Sequence, residues 1–214
     1  MSSASAHERS TRELPPGLWD RLRQDPARAP EHVALAAGRT FAPQAASWAA
    51  DKRSRYAVSP PELATMAKKR HATLARFEGA ATGVGGIVTM VPDLVALAWI
   101  QSRLVFYVAA AYGYDPHDPM RPAELLVLRD FYPDPASARR ALDGIGETIV
   151  QAYVGSKLQR EEALALRLAK MVGVRSARKL AGRMIPGVAI AFNAIGNERR
   201  TRALADRAIR FYGG

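Results

Sequence analysis

The sequence predicts an all-α protein, a compact helical bundle with a central hairpin of small-residue and apolar helices. Its 214 residues are 48% hydrophobic, which is enough to bury one sizeable core. From residue 59 onward, apolar residues recur at helical spacing behind capping signals. Residues 78–115 then place a glycine cluster, a proline and a long apolar stretch around two interior charges, Asp93 and Arg103.

Residues 1–58 are interpreted as a variable N-terminal extension, and residues 59–214 as the main helical domain. Roughly the first 15 residues are expected to be disordered, with one or two short helices in the rest of the extension. The N-terminus has no apolar core segment and carries both charge signs, which predicts neither a secretory signal nor an anchor. A cytoplasmic protein is therefore expected.

An amphipathic helix is predicted to begin at Ser59. The run Ser59-Pro60-Pro61-Glu62 is a capping box with proline at the first helical position, in which Glu62 reaches back to the Ser59 amide. The residues that follow at helical spacing predict its buried face. They are Leu63, Ala67, Leu74, Phe77 and Ala81.

This helix runs into a cluster of four glycines, Gly79, Gly83, Gly85 and Gly86. Each glycine would weaken a solvated helix by about 1 kcal/mol relative to alanine, so a compensating interaction is expected. Close approach of another helix is favoured. A phosphate-binding loop is the alternative, but the segment lacks the Lys-Ser/Thr ending of a P-loop and the spacing of a dinucleotide fingerprint.

Pro92 is predicted to break the chain between two helices. Asp93 would then cap a second helix from Leu94 to about Tyr112, which Gly113 ends. That helix is apolar on nearly every side, so it belongs in the centre of a bundle or in a bilayer. The glycines, the proline and the two charges disfavour a membrane span, and the sequence favours a buried hairpin.

The remainder of the chain predicts further helices separated by proline and glycine. One is expected over residues 122–131, and another from Pro135 to about Tyr153 with Asp134 as its cap. Two more segments follow, broken near Gly173. The last one loosely echoes the first signature and repeats its Tyr-Gly pair, at Tyr112-Gly113 and at Tyr212-Gly213, which we interpret as similar packing rather than as a repeat.

The formal net charge of +11 is concentrated near the C-terminus. The segment Lys157–Gly214 contains 13 Lys or Arg residues against four acidic ones. Such a surface predicts an anionic partner, either a membrane surface or a membrane protein, with nucleic acid possible but not favoured. A solvated basic face is the alternative. The candidate residues for binding an anionic surface are Arg175, Arg178, Lys179 and Arg183.

No catalytic constellation accompanies these features. The four histidines have neither metal-ligand spacing nor a convincing pairing with carboxylates, so no metal, cofactor or catalytic residue is predicted. The absence of cysteine excludes disulfides and thiolate sites. The enzymatic alternative is a hydrolase-like or small-molecule enzyme with a polar site near Glu78, Asp93, Arg103 and Asp115.

Arg103 lies in the middle of an apolar helix and therefore needs an acceptor from elsewhere. A buried or half-buried structural ion pair with a carboxylate is expected. The candidate partners are Glu78, Asp115, Asp130 and Glu147.

Residues 69–118 resemble the signature of the EcsC family, bacterial proteins named after a gene beside an ABC transporter operon. The matching elements, in order, are Glu-Gly, Gly-x-Gly-Gly, Pro-Asp and Tyr-Gly-x-Asp. The run IPGVAIAFNAIGN and the helix after it resemble the second signature of that family. The signature and packing positions are Gly79, Gly83, Gly85, Gly86, Pro92, Tyr112, Gly113, Pro186 and Asn193.

The resemblance implies an all-α protein associated with membranes or transport, without established chemistry for particular residues. Together with the charge distribution, it favours a non-enzymatic accessory or interaction protein. The expected place of action is the inner face of the cytoplasmic membrane, at the lipid surface or with a transport system.

Overall fold

The computed structural model describes residues 14–81, 86–144, 157–174 and 194–214. Within these ranges it does not describe the side chains of residues 78–81, 86–90, 157–158 and 194.

The described residues form eight α-helices and contain no strand, which confirms the all-α prediction. A short 3-10 turn at Pro26–Arg28 leads into the second helix. In chain order the helices are α1 (Leu18–Gln24), α2 (Ala29–Arg55), α3 (Pro60–Ala81), α4 (Gly86–Ala111), α5 (Met120–Leu128), α6 (Pro135–Asp143), α7 (Lys157–Met171) and α8 (Ala194–Gly213).

Helix α4 is the centre of the bundle. Helices α2, α3, α7 and α8 all pack against it, and every residue from Leu97 to Ala111 is buried. The segment Val91–Ala111 is long and apolar enough to cross a membrane, but 94% of its most apolar window is buried inside the protein. Packing within the bundle therefore accounts for the apolar surface of this helix, as the buried-hairpin prediction requires.

The predicted helix break at Pro92 is wrong, because α4 continues through Pro92 from Gly86 to Ala111. The proline side chain is exposed, so the proline ring lies on the outer surface of the helix. Asp93 is consequently a half-buried residue inside a helix rather than a cap. The other end is as predicted: Gly113 adopts φ 87°, and the Tyr114 amide donates back to the Ala109 carbonyl.

Helix α3 begins with the predicted capping box. The Glu62 carboxylate accepts from the Ser59 amide at 2.9 Å and from its hydroxyl at 2.6 Å, and these bonds lower the pKa of Glu62. The buried face differs from the prediction at Phe77, which is 61% exposed. The side chains that are buried on α3 are mostly small, namely Leu63, Ala64, Ala67, His71, Ala72 and Ala75.

The glycine cluster lies where α3 gives way to α4. Gly79 is in the last turns of α3 and Gly86 opens α4, whereas Gly83 and Gly85 lie outside the described residues. Close helix approach at these glycines stays a prediction.

The prediction of one or two short helices before residue 58 is met in part: Leu18–Gln24 is a short helix of 7 residues, but Ala29–Arg55 is one long helix of 27 residues. Its buried face consists largely of alanines, with Phe41 fully buried among them. Alanine gives a weak amphipathic signal but allows two helices to approach closely. The core is one cluster that runs from Leu18 to Tyr212, so α1 and α2 pack into the same interior as the later helices.

The later helices follow their predicted signals. Asp134 caps α6, since its carboxylate accepts from the Ser137 amide at 2.8 Å. Helix α7 ends at Met171, two residues before Gly173, which adopts φ 83°. The prediction that α6 continues to Tyr153 is wrong, because the helix ends at Asp143 with Gly144 as its C-cap; residues 145–156 lie outside the described residues.

Candidate functional site

A polar belt crosses the middle of α4, where Gln101, Ser102 and Arg103 are all buried. The Ser102 hydroxyl donates to the Ala98 carbonyl at 2.7 Å, so α4 itself satisfies it. Gln101 and Arg103 instead reach toward different neighbouring helices. Two separate polar networks therefore start from adjacent positions of the core helix.

Arg103 is only 1% exposed. Its Nη2 donates to the Tyr107 hydroxyl at 2.9 Å, and its guanidinium carbon lies 4.9 Å from the centroid of the Tyr107 ring and 5.7 Å from that of Phe41. Burial lowers the pKa of Arg103, but a guanidinium stays protonated at neutral pH. One hydroxyl and two ring faces thus surround a buried cation.

The expected burial of Arg103 is confirmed, but two of its four candidate partners are engaged elsewhere. Asp115 accepts from the His117 amide at 2.9 Å, and Asp130 forms two bonds with Arg207, the shorter at 2.7 Å. The side chains of Glu78 and Glu147 lie outside the described residues. Within the described part of the chain, no acceptor contacts the Nε or Nη1 of Arg103.

Arg103 belongs to a stripe of α4 that faces two other helices. Trp99, Arg103 and Tyr107 are spaced four residues apart and so share one side of α4. The Trp99 ring lies 4.5 Å from Phe41, and the Tyr107 ring lies 5.0 Å from both Trp48 and His71. We call this set the aromatic seam: Phe41 and Trp48 of α2, His71 of α3, and Trp99, Arg103 and Tyr107 of α4.

His71 is fully buried in this seam. Its Nδ1 lies 2.8 Å from the Ala67 carbonyl and must therefore carry the ring proton, which leaves Nε2 as an acceptor. Burial lowers the pKa of His71 to about 3, and the positive charge of Arg103 acts in the same direction. The imidazole is neutral at physiological pH, and its Nε2 has no partner among the described residues.

On another side of α4, Gln101 links three helices. Arg129, which caps the end of α5, donates to the Gln101 side-chain oxygen, and Gln101 donates to the Thr201 hydroxyl of α8 at 3.1 Å. Burial lowers the pKa of Arg129 to about 9. This chain of bonds fixes α5 and α8 against the core helix, which is a structural role.

A third buried network anchors the C-terminus. Arg121 donates to Glu124 at 2.5 Å and to Asp118 at 3.1 Å, and the Tyr212 hydroxyl donates to the same Glu124 oxygen at 2.6 Å. Burial raises the pKa values of both Glu124 and Tyr212. Sequence reasoning missed this network, although the repeated Tyr-Gly pair had singled out Tyr212.

The signature position Tyr112 meets Gly213 at this anchor. A Cβ on Gly213 would lie 3.0 Å from the ring of Tyr112, so the glycine allows α8 to end against the residue that follows α4. The two Tyr-Gly pairs, which resemble each other in sequence, therefore also meet in the structure, where Gly213 packs against Tyr112.

The proposed polar site of the enzymatic alternative is not assembled by its described members. Asp93 and Arg103 are ten residues apart on one continuous helix, about 15 Å along its axis. Asp115 is exposed in the loop after α4, where hydrogen bonds from His117 lower its pKa. The described residues also contain no group of three or more potential metal ligands.

Arg175, Arg178, Lys179, Arg183, Pro186 and Asn193 lie outside the described residues. Among the described residues, Arg76, Arg199 and Arg202 are exposed where α3 ends and α8 begins. The two helices are antiparallel, since Lys68 pairs with Asp206 and Arg76 with Glu198.

Two large apolar side chains are exposed at this end, Phe77 at 61% and Ile195 at 71%. Ile195, Arg199 and Arg202 lie on one side of α8, and Glu198 contacts both Arg202 at 2.8 Å and Arg76 at 3.9 Å. Sequence reasoning had assigned Phe77 to the core and had not singled out Ile195. We call this surface the α3–α8 patch: Arg76, Phe77, Ile195, Arg199 and Arg202.

The chain is similar to known proteins at the level of sequence. A stretch of 57 residues is 37% identical to the "Uncharacterized protein YdbA" of Bacillus subtilis (strain 168), covering 27% of the chain and 21% of that protein. The chain thus matches only about a fifth of the length of this relative. No solved structure gives a significant match. The profile of the EcsC protein family matches residues 58–213, from α3 through α8, and the chain belongs to the EcsC protein family.

Proposed function

We propose that this protein is a non-enzymatic accessory protein that binds reversibly to the anionic inner face of the cytoplasmic membrane through the α3–α8 patch. The observation that carries the proposal is the exposure of Phe77 and Ile195 beside three arginines. Exposed apolar side chains surrounded by cations suit the boundary between lipid head groups and acyl chains.

The expected affinity is modest. Each basic residue near an anionic surface contributes about 1 kcal/mol, and burying a large apolar side chain contributes about 1.5–3 kcal/mol. Glu198 offsets part of the attraction, because it lies between Arg76 and Arg202. A net contribution on the order of 5 kcal/mol corresponds to a dissociation constant of about 0.2 mM, which describes reversible binding rather than anchoring.

The charge of the neighbouring sequence supports the same orientation. The chain has a formal net charge of +11, and most of the excess lies in Lys157–Gly214, which includes α8. A positive field around the patch would draw the protein to an anionic surface before the apolar side chains make contact.

Co-sedimentation with vesicles tests the proposal. We expect the full chain to bind vesicles that contain phosphatidylglycerol and not vesicles of phosphatidylcholine alone, with binding that weakens as salt rises. Arg199→Glu should reduce this binding roughly thirtyfold, because it replaces an attraction of about 1 kcal/mol by a repulsion of similar size, a change of about 2 kcal/mol.

The matched control is Arg55→Glu. Arg55 is also an exposed arginine, with 67% of its side chain accessible, but it ends α2 just before α3 begins. It therefore lies at the opposite end of α3, about 30 Å from the patch. Equal loss of binding in both variants, or tighter binding to duplex DNA than to anionic vesicles at the same ionic strength, would contradict the proposal.

A further inference from the structure

The outer face of α3 carries cations and no carboxylate beyond its first turn. Residues 63–77 contain four Lys or Arg residues and neither Asp nor Glu. Two of these cations, Lys68 and Arg76, pair with carboxylates of α8. The other two, Lys69 and Arg70, are exposed and form no ion pair with a described carboxylate. Their charges therefore face solvent and can meet an anionic partner.

The exposed face of α3 has apolar side chains along its centre. Met66 is 38% exposed and Phe77 is 61% exposed. Because each helical residue advances by about 100°, the step from Met66 to Phe77 returns to within about 20° of the same direction, about 16 Å along the axis. Arg70 lies on one side of this line, and Lys69 lies on the other, where Arg76 reaches α8. An apolar centre between basic edges is typical of a helix that lies in a membrane interface.

We propose that α3 lies along the membrane surface and that Met66, Lys69 and Arg70 extend the α3–α8 patch. This inference rests on the membrane binding proposed above and adds the orientation of the bound protein. Lys69 and Arg70 contact anionic head groups on the two sides of the helix. Met66 lies among these head groups, at a shallower depth than Phe77. The contact ends before Glu62, an exposed carboxylate on the same side of α3 one turn earlier.

The alternative orientation is a contact confined to the end of the bundle, through Phe77 and Ile195. Met66 would then lie about 16 Å from the lipid, and Arg70 about 10 Å from it. Both distances exceed the Debye length of about 8 Å at physiological ionic strength, so neither residue would contribute to binding. The environment of Met66 therefore distinguishes the two orientations.

Fluorescent labelling of the full chain provides this measurement. The chain has no cysteine, so a single introduced cysteine can carry an environment-sensitive probe such as NBD. Met66→Cys and Phe77→Cys are compared with Ala136→Cys, an exposed position on α6, which packs on α2 and α5. On addition of phosphatidylglycerol vesicles, we expect a blue shift and stronger emission at residues 66 and 77, with the smaller change at residue 66. The probe at residue 136 should not respond.

Charge reversal measures the two added cations. Lys69→Glu and Arg70→Glu should each weaken co-sedimentation with phosphatidylglycerol vesicles roughly thirtyfold, since each exchanges an attraction for a repulsion. Arg140→Glu is the matched control, because Arg140 is an exposed arginine of α6. It should leave binding unchanged within about twofold, since it lies away from α3 and α8.

The outcomes separate this inference from the function on which it rests. If the vesicles bind the chain and the probe at residue 77 responds while the probe at residue 66 does not, the orientation is wrong and membrane binding stands. Undiminished binding of Lys69→Glu and Arg70→Glu, or an equal response at residue 136, would also overturn the orientation. If phosphatidylglycerol vesicles bind neither the wild type nor any labelled chain, the proposed function fails, and this inference fails with it.

Discussion

Arg103 is a buried charge whose described contacts are mainly aromatic. The guanidinium contacts one hydroxyl and two aromatic rings, and none of the described carboxylates forms an ion pair with it. The position of Arg103 in the sequence predicted its burial, because it lies in the middle of a helix that is apolar on nearly every side and is therefore buried in the bundle. It did not predict the surroundings, since Phe41 and His71 come from helices far away in sequence.

His71 should make the folded state sensitive to acid. Its pKa is lowered to about 3 by burial, whereas an unfolded histidine titrates near 6.5, so the unfolded state takes up a proton first as the pH falls. The contribution of neutral His71 to the free energy of unfolding is fully present above about pH 6.5. It is lost at about 1.4 kcal/mol per pH unit between pH 6.5 and 3.

The test is urea unfolding of wild type and His71→Gln at a series of pH values from 7 to about 4. The variant has no titrating ring at this position, so its free energy of unfolding should fall less steeply over this range. Parallel pH dependence in the two proteins would show that His71 is protonated in the folded state as readily as in the unfolded one.

At the scale of helices, the sequence predicted best those elements whose signals are local. The capping box of α3, the Asp134 cap of α6 and the glycine that follows α4 depend on residues within one turn, and all three occur as expected. Pro92 misled because a proline weakens a helix without always ending it, and α4 is held by packing against its neighbouring helices. Helix α2 was missed because a face built of alanines carries little amphipathic signal.

The end of α8 should depend on one hydroxyl. Tyr212→Phe removes the donor to Glu124, whose carboxylate is buried and keeps only its Arg121 partner, so the free energy of unfolding should fall by about 1–3 kcal/mol. Phe211→Leu is the control, because Phe211 is the adjacent residue and is exposed. A loss in the control as large as that in Tyr212→Phe would point to general packing of the helix end rather than to the hydrogen bond.

For the whole molecule, fold class and family followed from the sequence, whereas the aromatic seam and the α3–α8 patch did not. Helical periodicity and the glycine and proline signals are properties of single segments, so they can be recognised from the sequence alone. The aromatic seam needs three helices, and the α3–α8 patch needs the two helices that lie antiparallel at one end. Charge alone pointed to the C-terminal half, but only the packing of α8 on α3, with Arg76 against Glu198, brought the first turns of α8 to the end of α3 that carries Phe77.

Membrane binding by the patch should therefore have an electrostatic component, which salt weakens, and an apolar component, which salt does not weaken. At about 1 M salt the Debye length shrinks to about 3 Å, so attraction by Arg76, Arg199 and Arg202 is largely screened, while transfer of Phe77 and Ile195 out of water is not weakened. Wild type should keep a fraction of its vesicle binding at high salt. The double variant Phe77→Ser/Ile195→Ser should lose that fraction and keep part of the low-salt binding. If wild-type binding vanished completely at high salt, the interaction would be charge alone, and the apolar side chains would have no part in it.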